Sequence, residues 1–332
     1  MNVRSRRKTV FWFLVLAVIA ALLLSVNSGY AKLPYGQVLF SLLHPSNPLA
    51  SVVLLQIRLP RILLAILCGM GLALSGCTLQ AVTENPLADP GILGINAGSG
   101  FTVMLFLTLF PSLHIRSMLF QPLFAMAGGL LVAVILYRFA KRNGKLRPSY
   151  LLLGGIGVSA GFSALMLIMA SDMENSSYQL VARWLAGNIW GTSWYQVTAL
   201  TPYLLVLIPL LFTRANILDL LLLGEESSLA LGVQVERERK ILLIVAVALA
   251  SSCISVSGGI GFVGLVAPHM ARKFVGGRHR VLLPTSMLLG GLLVLLADTI
   301  GRWLFQPIEI PVGIVISVLT APYFLYLLRR QA

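Results

Sequence analysis

Apolar runs about as long as a bilayer is thick recur along this chain from end to end, and this recurrence excludes more folds than any other feature of the sequence. A hydrocarbon core of about 30 Å is crossed by roughly 20 apolar residues in a helix. Runs of that order lie at 10–28, 60–82, 93–110, 118–138, 149–171, 195–213, 241–257, 261–276, 281–300 and 311–328. With 58% hydrophobic and only 11% charged residues among 332, no water-soluble globular class fits. The expected fold is an all-α polytopic membrane protein with about ten transmembrane helices. Only short polar joins separate the runs, so one membrane domain is expected over 1–332. The seventh and eighth runs are the tightest, because 241–271 is short for two full crossings; Gly258 and Gly259 offer the break between them.

Charge orients the chain. A formal net charge of +14 would suggest nucleic acid in a soluble protein. Here the basic residues occupy the joins between apolar runs, so no nucleic-acid partner is expected and positive-inside topogenesis accounts for them. With the N-terminus inside, the cytoplasmic joins receive Arg4 to Lys8, Arg138 to Arg147, Arg214, Arg237 to Lys240, Arg272 to Arg280, and Arg329 with Arg330. Both termini are then cytoplasmic in a bacterial cell membrane. The basic start before the apolar run Val10 to Val26 also has the outline of a signal peptide, with Tyr30-Ala31 as a poor cleavage site. Parity favours an uncleaved first helix, since keeping it gives both termini a basic cytoplasmic flank.

All but six of the 25 basic residues are explained in this way. The six are Lys32, Arg58, Arg61, Arg116, Arg183 and Arg302, at external span ends where positive charge has no topogenic use. Snorkelling or a local ion pair is one explanation, and for Arg302 it is specific: Asp298 lies four residues earlier on the same helix face.

Several motifs are decoys. Gly154, Gly157 and Gly161 follow one another at i, i+3 and i+7 with Ser159 beside them, giving one helix a smooth face that permits close packing or lines a path. Gly157 to Gly161 also matches G-x-S-x-G, but a nucleophile elbow needs a strand, a turn and His and acidic partners, so an intramembrane hydrolase using Ser159 is a weak alternative. Gly259, Gly261 and Gly264 match G-x-G-x-x-G after an apolar helix instead of a strand, which argues against a dinucleotide site. No phosphate-binding G-x-x-x-x-G-K-[ST] occurs, so any ATP hydrolysis must take place in a partner and the chain is expected to be no enzyme. Cys68, Cys77 and Cys253 are isolated in apolar runs, and His269 has no partner at ligand spacing; no metal and no cofactor are expected. Intramembrane charge is sparse, with Asp298 the clearest case, which disfavours a proton- or sodium-coupled carrier without excluding it.

The specific motifs span nearly the whole chain. They are RLPR at Arg58 to Arg61, SGCTLQ followed by NPLADPGILGINAG from Asn85 to Gly98, RWLAGNIWGTSW from Arg183 to Trp194, and LLLGEESSLALGV from Leu221 to Val233. GGIGFVGLVAPHMAR from Gly258 to Arg272, HRVLLP from His279, and ADTIGRW through EIPVGI complete the set. Together they resemble the FecCD-type permeases of ABC importers for iron-siderophores, haem and cobalamin. The resemblance implies the type II importer fold, with ten helices per subunit and two subunits around one central path. It also implies as partners a dimer of ATP-binding-cassette ATPases, an extracytoplasmic substrate-binding protein, and a second permease subunit that is a paralogue or an identical copy. Ferric siderophore is the cargo expected first.

The resemblance assigns residues as well. A coupling segment at about 214–240 would meet the ATPase through Leu223, Gly224, Glu225, Glu226, Leu231 and Gly232. That join is also suitable on its own terms: Glu225 and Glu226 favour a helix N-terminus through the dipole, and Gly232 can end the helix. Arg58, Arg61 and Arg302 would dock the binding protein, Asn85 and Leu87 would form the cytoplasmic gate, and Gly154, Gly157, Ser159 and Gly161 would line the pathway. Pro86 and Pro90 fix a bent, non-helical backbone at the gate, although a plain rigid turn would use them equally.

Overall fold

Hydrocarbon offers no partner to a backbone amide, so each apolar run must satisfy its own hydrogen bonds and becomes a helix. A computed structural model of the chain describes residues 3–28, 51–109, 120–142, 145–146, 148–171, 182, 184–304 and 309–331. Lys32, Arg116 and Arg183 lie outside these residues. The elements in chain order are α1 (Val3–Asn27), α2 (Leu59–Val82), α3 (Ile95–Leu109), α4 (Gln121–Ala140), α5 (Pro148–Ser171), α6 (Trp194–Thr213), α7 (Ala215–Leu221), α8 (Glu225–Ala230), α9 (Val235–Ser257), α10 (Val263–Val275), α11 (His279–Leu304) and α12 (Val312–Gln331). A π-helical turn, Val53–Arg58, runs directly into α2; Pro60 just past the junction has no N–H to donate, and the Leu55 carbonyl one turn earlier accepts Trp194 Nε1–H at 2.8 Å instead. The only strands among the described residues, β1 (Lys141–Arg142) and β2 (Lys145–Leu146), form a minimal antiparallel hairpin between α4 and α5.

Ten of the twelve described helices fall on the ten expected runs, and α7 and α8 are additional. Seven are long and apolar enough to cross a membrane; α3 and α12 contribute shorter apolar segments, Ile95–Phe106 and Val312–Tyr323. The eighth expected run is corrected. Residues 258–261 are not helical, and the helix that follows has 13 residues with Arg272 and Lys273 in its last turn, too short for a full crossing. Gly258 at φ 68 makes that break, as the glycine pair suggested.

Helices α2 and α9 form the enclosed centre, whereas α1, α5 and α6 turn most of their surface outward. Helix α2 packs against α11, α9 and α10. The contact is backbone to backbone: a Cβ on Gly69 would lie 2.2 Å from the Gly290 carbonyl oxygen, and one on Gly76 2.0 Å from that of Gly264. Lipid tails are as apolar as leucine, so helices in a membrane gain by close approach rather than by hydrophobic exclusion, and small residues permit that approach.

Candidate functional sites at the two ends of the bundle

The basic end gathers the starts of α1, α9 and α11 with the ends of α2 and α10. Arg7 Nε donates to the Val275 carbonyl at 3.0 Å, which ties α1 to the end of α10. Here the segment expected to couple, at about 214–240, includes the short helices α7 and α8 joined through Gly224, whose φ of 91 suits glycine. Glu225 and Glu226 occupy the first turn of α8. Gly232, at φ 80, ends it: the Val233 amide donates to the Ser228 carbonyl and the Gly232 amide to that of Leu229, the paired bonds of a Schellman motif. Buried Ser228 donates its hydroxyl toward the carbonyls of Leu220 and Gly224, both at 2.8 Å, and so binds α8 to α7.

The segment is anchored to the bundle by ions. Asp219 accepts the backbone N–H of His279 at 2.8 Å and lies 2.7 Å from its Nδ1, which caps the start of α11. Arg214 pairs with Glu238 on α9. Four leucines nevertheless face outward on this unit: Leu222, Leu223, Leu229 and Leu231 are 47–60% exposed. A concentration of exposed leucine at a charged end is the kind of surface that a protein partner covers. Leu223 and Leu231 are among the residues expected to meet the ATPase; Leu222 and Leu229 lie beside them.

Beside it lies the loop 83–94, which holds the expected gate residues. Asn85 and Leu87 are half-buried, and Asn85 Oδ1 accepts the Leu87 amide at 2.9 Å in an Asx turn. Sequence reasoning missed Asp89. Its carboxylate is 2% exposed, accepts the Gly91 amide at 2.8 Å, and is also bonded by the backbone amides of Ile92, Phe262 and Leu265. It therefore pins the loop against the start of α10. Burial pushes its carboxyl up to about 6, although the four amides pull the other way. Asp89-Pro90-Gly91 is readable as a turn from sequence; a second partner 170 residues away is not.

The predicted pathway face on α5 divides. Gly154 lies at its edge, where a Cβ would be 3.1 Å from Leu136 of α4, while Gly157 and Gly161 look onto open space with nothing within 4 Å. Ser159 is half-buried. Leu153, Ile156 and Ile168 continue the outward face at 60–71% exposure, so within this chain the helix presents a broad uncovered surface.

At the opposite end, Arg58, Arg61 and Arg302, the residues expected to dock the binding protein, are only 5–7% exposed and are engaged in a network of their own. Arg61 meets Asp298 at 2.8 Å and Glu309 at 2.7 Å. Arg302 meets the other oxygen of Asp298 at 3.0 Å and donates to the Ser28 carbonyl at 2.9 Å and to Ser25 Oγ at 2.6 Å. Arg58 donates to the Val26 carbonyl. The physical reason is local: charged groups at the edge of hydrocarbon stay buried only where they are paired and hydrogen-bonded, and the last turn of α1 supplies free carbonyls for that. The i,i+4 pair of Asp298 and Arg302 was anticipated; its extension through Arg61 to Glu309 was not.

Residues 16–330 match the FecCD transport family. The chain is 41% identical over 312 residues to the iron-uptake system permease protein FeuC of Bacillus subtilis, an alignment covering 92% of this chain and 93% of that one. It is 42% identical over 319 residues to the iron(3+)-hydroxamate import system permease protein FhuG of the same species, covering 95% of each. A solved structure described as an inward-facing conformation of a metal-chelate type ABC transporter superposes with a TM-score of 0.81 at 29% identity, covering 97% of this chain and 99% of that one.

Proposed function

The chain belongs to the FecCD transport family, and on that premise we propose that it is the membrane-spanning subunit of an ATP-binding-cassette importer that moves ferric siderophore across the bacterial cytoplasmic membrane by alternating access. The observation that supports this reading best is the outward leucine surface of α7 and α8 set beside a bent, non-helical loop at the same end of the bundle. A partner that grips the first can move the second. The partner is read as a dimer of ATPases, and the basic end as cytoplasmic, with both termini on that side. A second permease subunit, paralogue or identical copy, is assigned to the uncovered face of α5, where Gly157 and Gly161 would border a shared path. The chain supplies no covalent chemistry in this scheme, and the gate is read at Asn85 and Leu87.

The extracytoplasmic binding protein is placed at the opposite end, over the network of Arg58, Arg61 and Arg302. Because those guanidiniums are already engaged, carboxylates of the binding protein would reach them by displacing Asp298 or Glu309, an exchange that sets register and encounter rate more than affinity. Radioiron uptake from a panel of ferric hydroxamates and catecholates, with labelled haem and cobalamin alongside, in a strain lacking this chain and in one with it restored, tests the proposal. Restored uptake of one ferric chelate names the cargo. Restoration of haem or cobalamin instead transfers the same architecture to that cargo, and no response from any of them removes the iron assignment.

A further inference from the structure

Two helices at the basic end close with the same pair of hydrogen bonds but with different residues at the left-handed position. At the end of α8 that position is Gly232, φ 80. At the end of α2 it is Glu84, φ 51: the Asn85 amide donates to the Gln80 carbonyl and the Glu84 amide to that of Ala81. Glycine is the ordinary occupant because a Cβ there crowds the following carbonyl, at a cost of roughly 1–2 kcal/mol. A glutamate in its place calls for a use of the side chain.

The side chain has such a use. The Glu84 carboxylate pairs with Arg239, in the first turns of α9, and the other terminal nitrogen of the same guanidinium reaches Glu225, in the first turn of coupling helix α8, at 3.9 Å. Arg239 is the only side chain among the described residues whose ion pairs join the gate loop to the coupling segment. Its Nε is buried without a hydrogen-bond partner, so the guanidinium is not locked by a full set of acceptors. It borders a cavity of about 190 Å³ together with Thr83, Glu84, Leu93, Tyr137 and Leu243, which leaves room for it to swing. Further along the loop, Asp89 is fixed under α10. The loop is thus pinned at one point and tethered at another through a single two-armed cation.

We propose that Arg239 is a positioning residue that transmits movement of the coupling helix to the gate loop, by sharing its guanidinium unequally between Glu84 and Glu225. In the described conformation the close partner is Glu84 and Glu225 is at the limit of reach. Displacing α8 toward α9 strengthens the second arm and draws the first off the loop, releasing a backbone held in a left-handed conformation. The inference rests on the importer reading above.

The test uses the complete importer with its ATPases in proteoliposomes and reads the gate directly, without knowledge of the cargo. A Leu87→Cys probe is labelled by a membrane-impermeant maleimide with and without ATP; Cys68, Cys77 and Cys253 are buried and give little background. ATP is expected to change the labelling rate by at least about fivefold, the scale of ordinary site-to-site coupling. Glu84→Gly, which relieves the strained backbone and so does not threaten folding, is expected to cut that change to below about twofold while ATP hydrolysis stays within about twofold. Glu225→Gln, at an exposed carboxylate, should cut the ATP-dependent change in labelling to below about twofold as well, read per ATP hydrolysed because this residue lies in the segment that meets the ATPase, and the double variant should be no worse than the poorer single one, because both arms act through one cation. Retention of the ATP response in Glu84→Gly, losses that multiply in the double variant, or labelling and hydrolysis falling in proportion would overturn the relay. An importer carrying the Leu87→Cys probe alone whose labelling ignores ATP would instead contradict the importer reading itself, and the relay with it.

Discussion

Arg61 and Asp298 stand 2.8 Å apart across α2 and α11, with the aspartate side chain fully buried and its second oxygen 3.0 Å from Arg302. One carboxylate thus serves two guanidiniums from different directions. Removing it leaves both cations buried with too few partners, and breaking a buried pair from one side costs about 3–5 kcal/mol. Asp298→Asn is therefore expected to lower the apparent melting temperature of the detergent-solubilised protein sharply. Glu309→Gln should cost far less, since the Glu309 side chain is 33% exposed and can be replaced by water. Equal losses from the two variants would show that Asp298 is not the hub of the network.

The leucine surface makes a different kind of prediction, about assembly and not stability. Leu231 is 60% exposed and Leu223 58%, so neither supports the bundle's own core. Leu231→Asp and Leu223→Asp should insert and melt as the unmodified chain does, yet co-purify with at least about tenfold less ATPase, since a charge buried in an apolar contact without a partner costs more than 1.4 kcal/mol. Undiminished co-purification with both variants would move the ATPase contact elsewhere.

Much of this was visible in the residues. The ten runs and the break at Gly258 and Gly259 follow from length and the placing of glycine; the coupling segment around Gly224 and Gly232 is what the family resemblance implies, and Glu225, Glu226 and Gly232 only make that join suitable. What escaped was whatever depends on a second chain segment. Topogenesis leaves Arg58 and Arg61 unexplained, and no partner for them is visible in the sequence; their partners are a carbonyl of α1 and carboxylates more than 230 residues on. Arg239 looked topogenic, and its position is equally consistent with that, until Glu84 and Glu225 were brought to it. Asp89 is the same case: burial by a distant helix start leaves no trace in a loop's composition.

Burial of Asp89 carries a pH signature. Its carboxyl lies at about 6 in the folded chain against an ordinary 3.8. A raised carboxyl means that the folded state holds its proton longer than the unfolded state. Stability from this group is full below pH 4, falls by about 3 kcal/mol as pH rises through 6, and is flat above. Asp89→Asn has no such titration. The melting temperature of the unmodified protein relative to Asp89→Asn should therefore decline between pH 4 and 6.5; a difference independent of pH would place the carboxyl in its ordinary range.

Two kinds of glycine substitution separate packing from passage. At Gly76 an added Cβ meets the Gly264 backbone at 2.0 Å, where no side chain can yield, so Gly76→Val should force α2 and α10 apart and cost more than the 1–3 kcal/mol typical of overpacking. At Gly157 and Gly161 an added Cβ meets nothing within 4 Å and points away from the bundle, so Gly157→Trp and Gly161→Trp should leave the melting temperature of the isolated chain within about 1–2 °C, a shift well under 1 kcal/mol. In the assembled importer the same tryptophans would stand in the proposed path, and substrate uptake should fall by at least about tenfold, the effect of a barrier raised by 1.4 kcal/mol. The comparison that matters is uptake against assembly. If the tryptophan variants assemble with their partners and still transport at the unmodified rate, α5 faces lipid or another surface, and the path must be lined by a different helix.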